Sequence, residues 1–272
     1  MQRLLDLLTG RSEEPGLDRA ALELAGIEYP NLDIEPFIGI LDSYAVELSE
    51  RLAGRSGGSD YVDAANRYLF GELGFAGNTA HYYDPRNSCL NDVLTARTGI
   101  PIALAAVYLE IARRLVRPVY GIGLPGHFLV QYRDADFAAF IDVFQGGRLL
   151  TAAECFDLAR QSTGVPLSDD SRMLAPASQR QILTRMIQNL RGVYLHRRAY
   201  GKALQTLNLL LAADPRAADE YKLRGMVHLQ MRNPAAARGD LEAYLRLAPE
   251  APDRAEIEQR LRGLRSYQAG LN

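Results

Sequence analysis

Three residues in this sequence have the types and order needed for acyl-transfer chemistry: Cys89, His127 and Asp142. A thiolate attacks an acyl carbon, and a nearby helix N-terminus lowers the thiol pKa through its dipole and open N–H groups. An imidazole on a neighbouring strand takes the proton and returns it to the leaving group. A carboxylate on the next strand fixes the imidazole tautomer and supports its charged form. The 15 residues from His127 to Asp142 are what two strands joined by a tight turn provide. Each residue also has a plain structural reading. Cys89 is then a small buried hydrophobe, His127 a strand-end imidazole hydrogen-bonded to its surroundings, and Asp142 a carboxylate that caps the turn at Gly146 and Gly147. The apolar flanks Phe140, Ile141, Val143 and Phe144 predict that Asp142 is buried. A buried carboxylate needs a partner, for which His127 is the natural candidate.

The loop before Cys89 is dense in polar groups. Asp84, Arg86, Asn87 and Ser88 form either a self-satisfied turn or one wall of a cleft, with Tyr82 and Tyr83 lining it and Asn87 or nearby N–H groups as oxyanion donors. His81 is a second, less anchored imidazole, and Cys155 reads as core. Phosphate-loop, HExxH and CxxC motifs are absent. The run GIGLPG at 121–126 leads into a strand, so it has no helix N-terminus to offer a phosphate. The four histidines and two cysteines lack ligand spacing, which predicts no metal. No cofactor is expected.

The elements that must position these residues follow from periodicity. Helices are predicted at 17–24, 34–52, 61–73, from near Cys89 to before Gly99 (capped by Asn87 or Ser88), and from Pro101 to about Leu115. Pro101 lies where a missing N–H costs nothing. The helix it opens is apolar nearly all round, as a central buried helix is. Strands are predicted at 119–122, 128–132 and 140–144, with tight turns that favour an antiparallel sheet. Thr151 and Glu154 form a capping-box pattern for a covering helix to Gln161, and 162–179 reads as a linker. Helices followed by a small sheet give an α+β class.

From 180 onward every period is helical. Aligning Pro215 with Pro249, 34 residues apart, places Leu207 on Leu241 and Ala203 on Ala237. This pattern resembles tetratricopeptide repeats, with a capping helix at 253–267. Two domains are expected, 1–179 and 180–272. The 47% apolar and 24% charged composition excludes a disordered chain. A net charge of −2 provides no global field for a polyanion, so no nucleic-acid partner is expected. No signal-peptide pattern opens the sequence and no apolar run spans a bilayer. A cytoplasmic protein without membrane attachment is therefore expected.

The stretches YYDPRNSCLNDVLTARTGIPIALAAVYLEIARRL, GIGLPGHFLVQY and FIDVFQGG together resemble the SirB-type transglutaminase-like core family. The resemblance runs from about Glu35 to Leu264, and its members often end in tetratricopeptide repeats. It implies a cysteine-protease-like α+β core with added N-terminal helices, in which His127 and Asp142 match the enzymatic His and Asp. It also implies that the nucleophile opens the central helix, where this chain has Pro101. Cys89 lies 12 residues earlier. Two readings of function follow. One is a degenerate, non-catalytic module that binds a protein or peptide through its repeats. The other is a cysteine-dependent amide hydrolase or acyl transferase using Cys89, His127 and Asp142, with Tyr83, Asp84, Asn87 and Ser88 as cleft wall.

Overall fold

A computed structural model of the chain describes residues 2–11 and 16–269. Its contacts divide into two compact units, one up to Met186 and one from Ile187. The first begins with helices α1 (Gln2–Thr9), α2 (Leu17–Ala25), α3 (Glu35–Leu52) and α4 (Gly58–Asn66), the last continued by a π turn at Arg67–Glu72. Strand β1 (Ala76–Gly77), helix α5 (Leu90–Ala96), strand β2 (Thr98–Gly99) and helix α6 (Pro101–Arg114) follow. Then come β3 (Val119–Ile122), β4 (Leu129–Arg133), β5 (Ala138–Asp142), β6 (Arg148–Leu150), α7 (Ala152–Thr163), β7 (Pro176–Ala177) and α8 (Gln179–His196), which runs across the boundary between the units.

The predicted α+β core is present. Its sheet is antiparallel, in the order β6-β5-β4-β3-β7. Alternation along β4 assigns the two faces. Leu129 packs with Ile122, Leu150, Cys155 and Ala159 beneath α7. Tyr132 points the other way, its ring 5.6 Å from that of Tyr61 on α4, which in turn meets Tyr108 of α6 edge-on. Helix α6 is buried along almost its whole length, including its first residue, Pro101. The Thr151–Glu154 capping box of α7 is made as predicted.

Four expectations are corrected. The third main strand ends at Asp142 rather than Phe144, because Asp142 accepts hydrogen bonds from the Phe144 and Gln145 N–H groups and bends the chain into a 3₁₀ turn. Neither Asn87 nor Ser88 caps α5; Cys89 holds the N-cap position and no side chain caps it. The stretch 162–179 is more than a linker, since it carries β7, which pairs with Gly121 and Ile122. Residues 2–9, for which the periodicity predicts no element, form a helix that buries Leu4, Leu7 and Leu8.

A charged cluster ties the helical layer together. Arg114 on α6 reaches Asp18 on α2 at 2.7 Å and Asp42 on α3 at 2.6 Å. Glu110, one turn earlier, accepts from Arg113 at 2.7 Å and Arg114 at 3.0 Å. Burial raises the Asp18 pKa, but the Arg114 hydrogen bond, the Arg19 N–H and the two guanidiniums more than reverse this and leave it low. For Glu110, burial followed by the Asp18 charge wins and pushes it up to about 7.

In the second unit, α8 leads into α9 (Tyr200–Ala213), α10 (Ala218–Gln230), α11 (Pro234–Leu247) and α12 (Arg254–Ala269). The first and last residues of α11 each follow those of α9 by 34 positions, the predicted repeat. Ala203, Leu207, Ala237 and Leu241 are all fully buried. Gly225 permits close helix packing, since a Cβ there would lie 3.0 Å from Leu241. Arg224, which replaces the apolar Leu190 of the preceding unit, is held by Asp240 at 2.7 Å.

The two buried acids predict opposite pH dependences. The Asp18 contribution is present above its unfolded pKa and is lost as pH falls through its lower folded value. Glu110 has a raised folded pKa, so wild-type stability falls as pH rises from its ordinary 4.5 through about 7. Glu110→Gln removes that second loss. Urea unfolding will show the variant close to wild type at pH 4.5 and more stable, by about 2–3 kcal/mol, at pH 8.

Candidate functional site

Asp142 is 2% exposed and His127 8%. The His127 Nε2 lies 3.0 Å from Asp142 Oδ1, and the same oxygen accepts from Phe144 N at 3.0 Å and Gln145 N at 3.2 Å. Three donors converge on one carboxylate oxygen, so the acid that orients the imidazole also closes the turn after β5. With Nε2 donating to Asp142, Nδ1 is the nitrogen left to meet a proton or a partner, and it makes no hydrogen bond among the described residues. Phe144, carried by that turn, meets His127 edge-on at a centroid distance of 6.1 Å. Its ring packs on Gly77, where a Cβ would come within 2.5 Å of it, so only glycine fits.

The loop from Asn78 to Ser88 is braced from within. Asn87 donates to the carbonyls of His81 (2.7 Å) and Tyr82 (3.3 Å) and accepts from the Asn78 amide at 2.9 Å. Its own carbonyl takes the Ile100 N–H at 3.1 Å, tying the loop to the start of α6. Both ends of the Asn87 amide are therefore engaged in the loop. Asp84 caps the short turn 85–87 through the Arg86 N–H and pairs with the Arg86 side chain at 2.6 Å. Ser88 is buried, and its Oγ makes no hydrogen bond among the described residues. Tyr82 and Tyr83 are exposed and touch edge-to-face.

Cys89 is fully buried at the N-cap of α5, a helix that packs on α2. Its thiol adds to the burial and the Asp92 carboxylate that push the Tyr29 phenol up to about 12. No hydrogen bond joins Cys89 to the His127 ring among the described residues. The Cys155 thiol on α7 is pushed up to about 12 by burial first and then by Glu154 and Asp142. The structure thus brings His127 and Asp142 together and buries Cys89 at the start of α5. No group of three or more His, Cys, Asp or Glu placed to hold a metal occurs among the described residues.

Two positioning residues were missed from sequence. Arg185 on α8 donates from Nη2 to the carbonyls of Leu124 and His127, both at 2.7 Å, and lies over the Phe128 ring at 5.5 Å. It fixes the turn that delivers His127, yet it lies 58 residues downstream with no local signal. Gly77 carried a detectable clue only in the glycine density of the loop.

Residues 36–188 match the profile of the transglutaminase-like superfamily, and residues 190–262 match a tetratricopeptide repeat. The chain is 38% identical over 246 residues to a UPF0162 protein of Xylella fastidiosa strain 9a5c, covering 89% of this chain and 88% of that protein. A UPF0162 protein of Pseudomonas aeruginosa is 30% identical over 260 residues, 96% of this chain and 94% of its own length. The human protein F-box only protein 21 is 35% identical over 140 residues, 48% of this chain and 21% of that protein.

The convergence of donors on Asp142 predicts an order of variant stabilities. Asp142→Ala strands the Phe144 and Gln145 N–H groups and the imidazole, costing about 3 kcal/mol. Asp142→Asn keeps one acceptor, and His127→Ala removes a single donor; each costs about 1–2 kcal/mol. Urea denaturation of the three variants measures this order.

Proposed function

The chain belongs to the transglutaminase-like superfamily and to the UPF0162 family, and from that premise we propose that it is a binding protein whose core retains the fold and the His–Asp pair without cysteine chemistry. The observation that carries this reading is the proline at the head of the central helix. Cys89 is 0% exposed at the start of α5 and shares no hydrogen bond with His127 among the described residues, whose one side-chain hydrogen bond is to Asp142. Pro101, which cannot act as a nucleophile, opens the central helix where the family resemblance requires the thiol. A His–Asp pair of this kind also serves structure. It satisfies a buried carboxylate and locks the end of β4 to the end of β5.

The partner in this reading is a protein or peptide held by the tetratricopeptide unit. Stacked repeats of this kind present extended surfaces suited to such ligands. The ion pairs Arg191–Glu220 and Arg224–Asp240, both partly buried, fix its helices against one another. Among the described residues no helix is long and apolar enough to cross a membrane.

A second reading keeps the thiol. Cys89 lies at a helix N-terminus and His127 has Nδ1 available, so a rearrangement of the 78–89 loop that brings them together would make a cysteine acyl-transferase. Alkylation separates the two. Native protein is treated with iodoacetamide across pH 6–9, and Cys89 and Cys155 are quantified separately by peptide mass spectrometry, in wild type and in His127→Ala. Both thiols are expected to stay unlabelled until urea unfolds the chain, with Cys155 as the buried control. Fast labelling of Cys89 well below pH ~8, where an ordinary thiol is mostly protonated, together with its slowing in His127→Ala, overturns the non-catalytic reading.

A further inference from the structure

The second unit separates its charges. From Ile187 onward the chain has 14 basic and 9 acidic residues, a net of +5, against 17 basic and 24 acidic residues before it, a net of −7. The acids of the second unit gather towards one end. Asp214, Glu250 and Asp253 lie in the turns 214–217 and 248–253, and Asp219 and Glu220 in the first turn of α10. Glu256 and Glu258 on α12 pair with Arg260 and Arg254. Glu242 lies beyond the middle of α11, and buried Asp240 is taken by Arg224. No Asp or Glu occurs from Gly192 to Ala213 or from Tyr221 to Gly239.

These two acid-free stretches meet at the opposite end. A four-residue turn joins α9 to α10, so the two helices run antiparallel. Arg224 on α10 donates to Asn208 on α9 at 2.8 Å, which sets their register and brings the start of α9 beside the end of α10. The turn before α9 and the turn after α10 are therefore neighbours. The first carries Arg197 and Arg198, the second Met231 and Arg232. All three arginine side chains are exposed and make no hydrogen bond or ion pair among the described residues. Met231, in the same pair of turns, is 45% exposed.

Backbone geometry singles out two of these arginines. Arg198 and Arg232 are 34 residues apart, the repeat length, and each has a φ of +56°. In that left-handed region a side chain carries a steric cost that glycine avoids. Arginine thus occupies both turns against backbone preference, while its charge meets nothing within the unit. A residue kept in such geometry points to a task beyond the fold itself.

The charge of this edge selects an anionic occupant. Guanidinium forks match carboxylates in planar, two-point contact. Exposed Met231 suits an apolar side chain, which a peptide supplies and a sugar–phosphate backbone does not. The net charge of −7 on the rest of the chain also opposes a long polyanion. We propose that this edge of the repeat unit docks an acidic segment of a partner protein, with carboxylates on Arg197, Arg198 and Arg232 and an apolar side chain on Met231. The proposal rests on the reading of the second unit as a peptide-binding module and specifies the charge of that peptide.

The test is fluorescence anisotropy of labelled probes titrated with the full chain. The probes are a peptide of Glu-Glu-Leu repeated four times, its Gln-Gln-Leu counterpart, and an oligothymidylate with the same eight charges. The acidic peptide is expected to bind saturably, more weakly as salt rises from about 50 to about 200 mM, and more tightly than either of the others. The double variant Arg198→Gly/Arg232→Gly should lose about five- to tenfold in affinity yet resist urea at least as well as wild type, since glycine suits both turns. A merely structural role for these arginines would not separate the two readouts. Arg197→Gln should lose about two- to threefold. The proposal is overturned if the acidic peptide shows no saturable binding, or if the double variant binds it as wild type does. Equal binding of the Gln-Gln-Leu peptide overturns the acidic preference and leaves the peptide-binding reading in place. Tighter binding of the oligothymidylate overturns the protein partner in favour of a nucleic acid. Alkylation of Cys89 decides the non-catalytic reading independently of all these outcomes.

Discussion

The end of this core that holds His127 is organised by the burial of one carboxylate. Asp142 lies between apolar neighbours at the end of β5, and desolvating its charge is unfavourable by several kcal/mol unless donors surround it. The donors are the His127 ring and two backbone N–H groups. Meeting that need ends the strand, turns the chain, carries Phe144 over Gly77 and holds the imidazole at a fixed angle. The sheet edge, the β1–β2 pair and the aromatic cover of His127 all depend on this one satisfied acid.

That dependence gives the His–Asp pair a structural task whatever chemistry it performs. If the thiol is lost from the central helix, the His–Asp pair keeps a structural task, because removing either partner leaves a buried polar group unmet. Pro101 in the first turn of α6 is compatible with helix geometry and with packing, since the N–H it lacks is one that helix starts leave unbonded.

The helical layer is governed by a different balance. Arg113 and Arg114 stand between Asp18, Asp42 and Glu110 and so join α2, α3 and α6; the Asp18 and Glu110 ends are buried, whereas Asp42 is exposed and its pairing is screened by water. Such clusters fix helix register more than they add stability. The second unit relies on shape instead. Gly225 against Leu241 and the recurring buried alanines allow close helix contact, and each repeat finishes the core of the one before it.

Much of this was legible in the sequence. Periodicity located α2, α3, α6 and the three main strands, the 34-residue offset located the repeats, and the 15-residue spacing paired His127 with Asp142, because each of these signals is local or regular. The family resemblance and the apolar flanks of Asp142 pointed to the same pair. What the sequence left open is decided over distance. The Asx-type turn that ends β5, the two-residue strand β7, the clamp of Arg185 on the His127 carbonyl and the burial of Cys89 at the start of α5 each depend on the folded chain. A residue's type states which chemistry it can perform. Its burial and its neighbours, fixed by tertiary contacts, decide whether that chemistry has a proton, a partner and room to proceed.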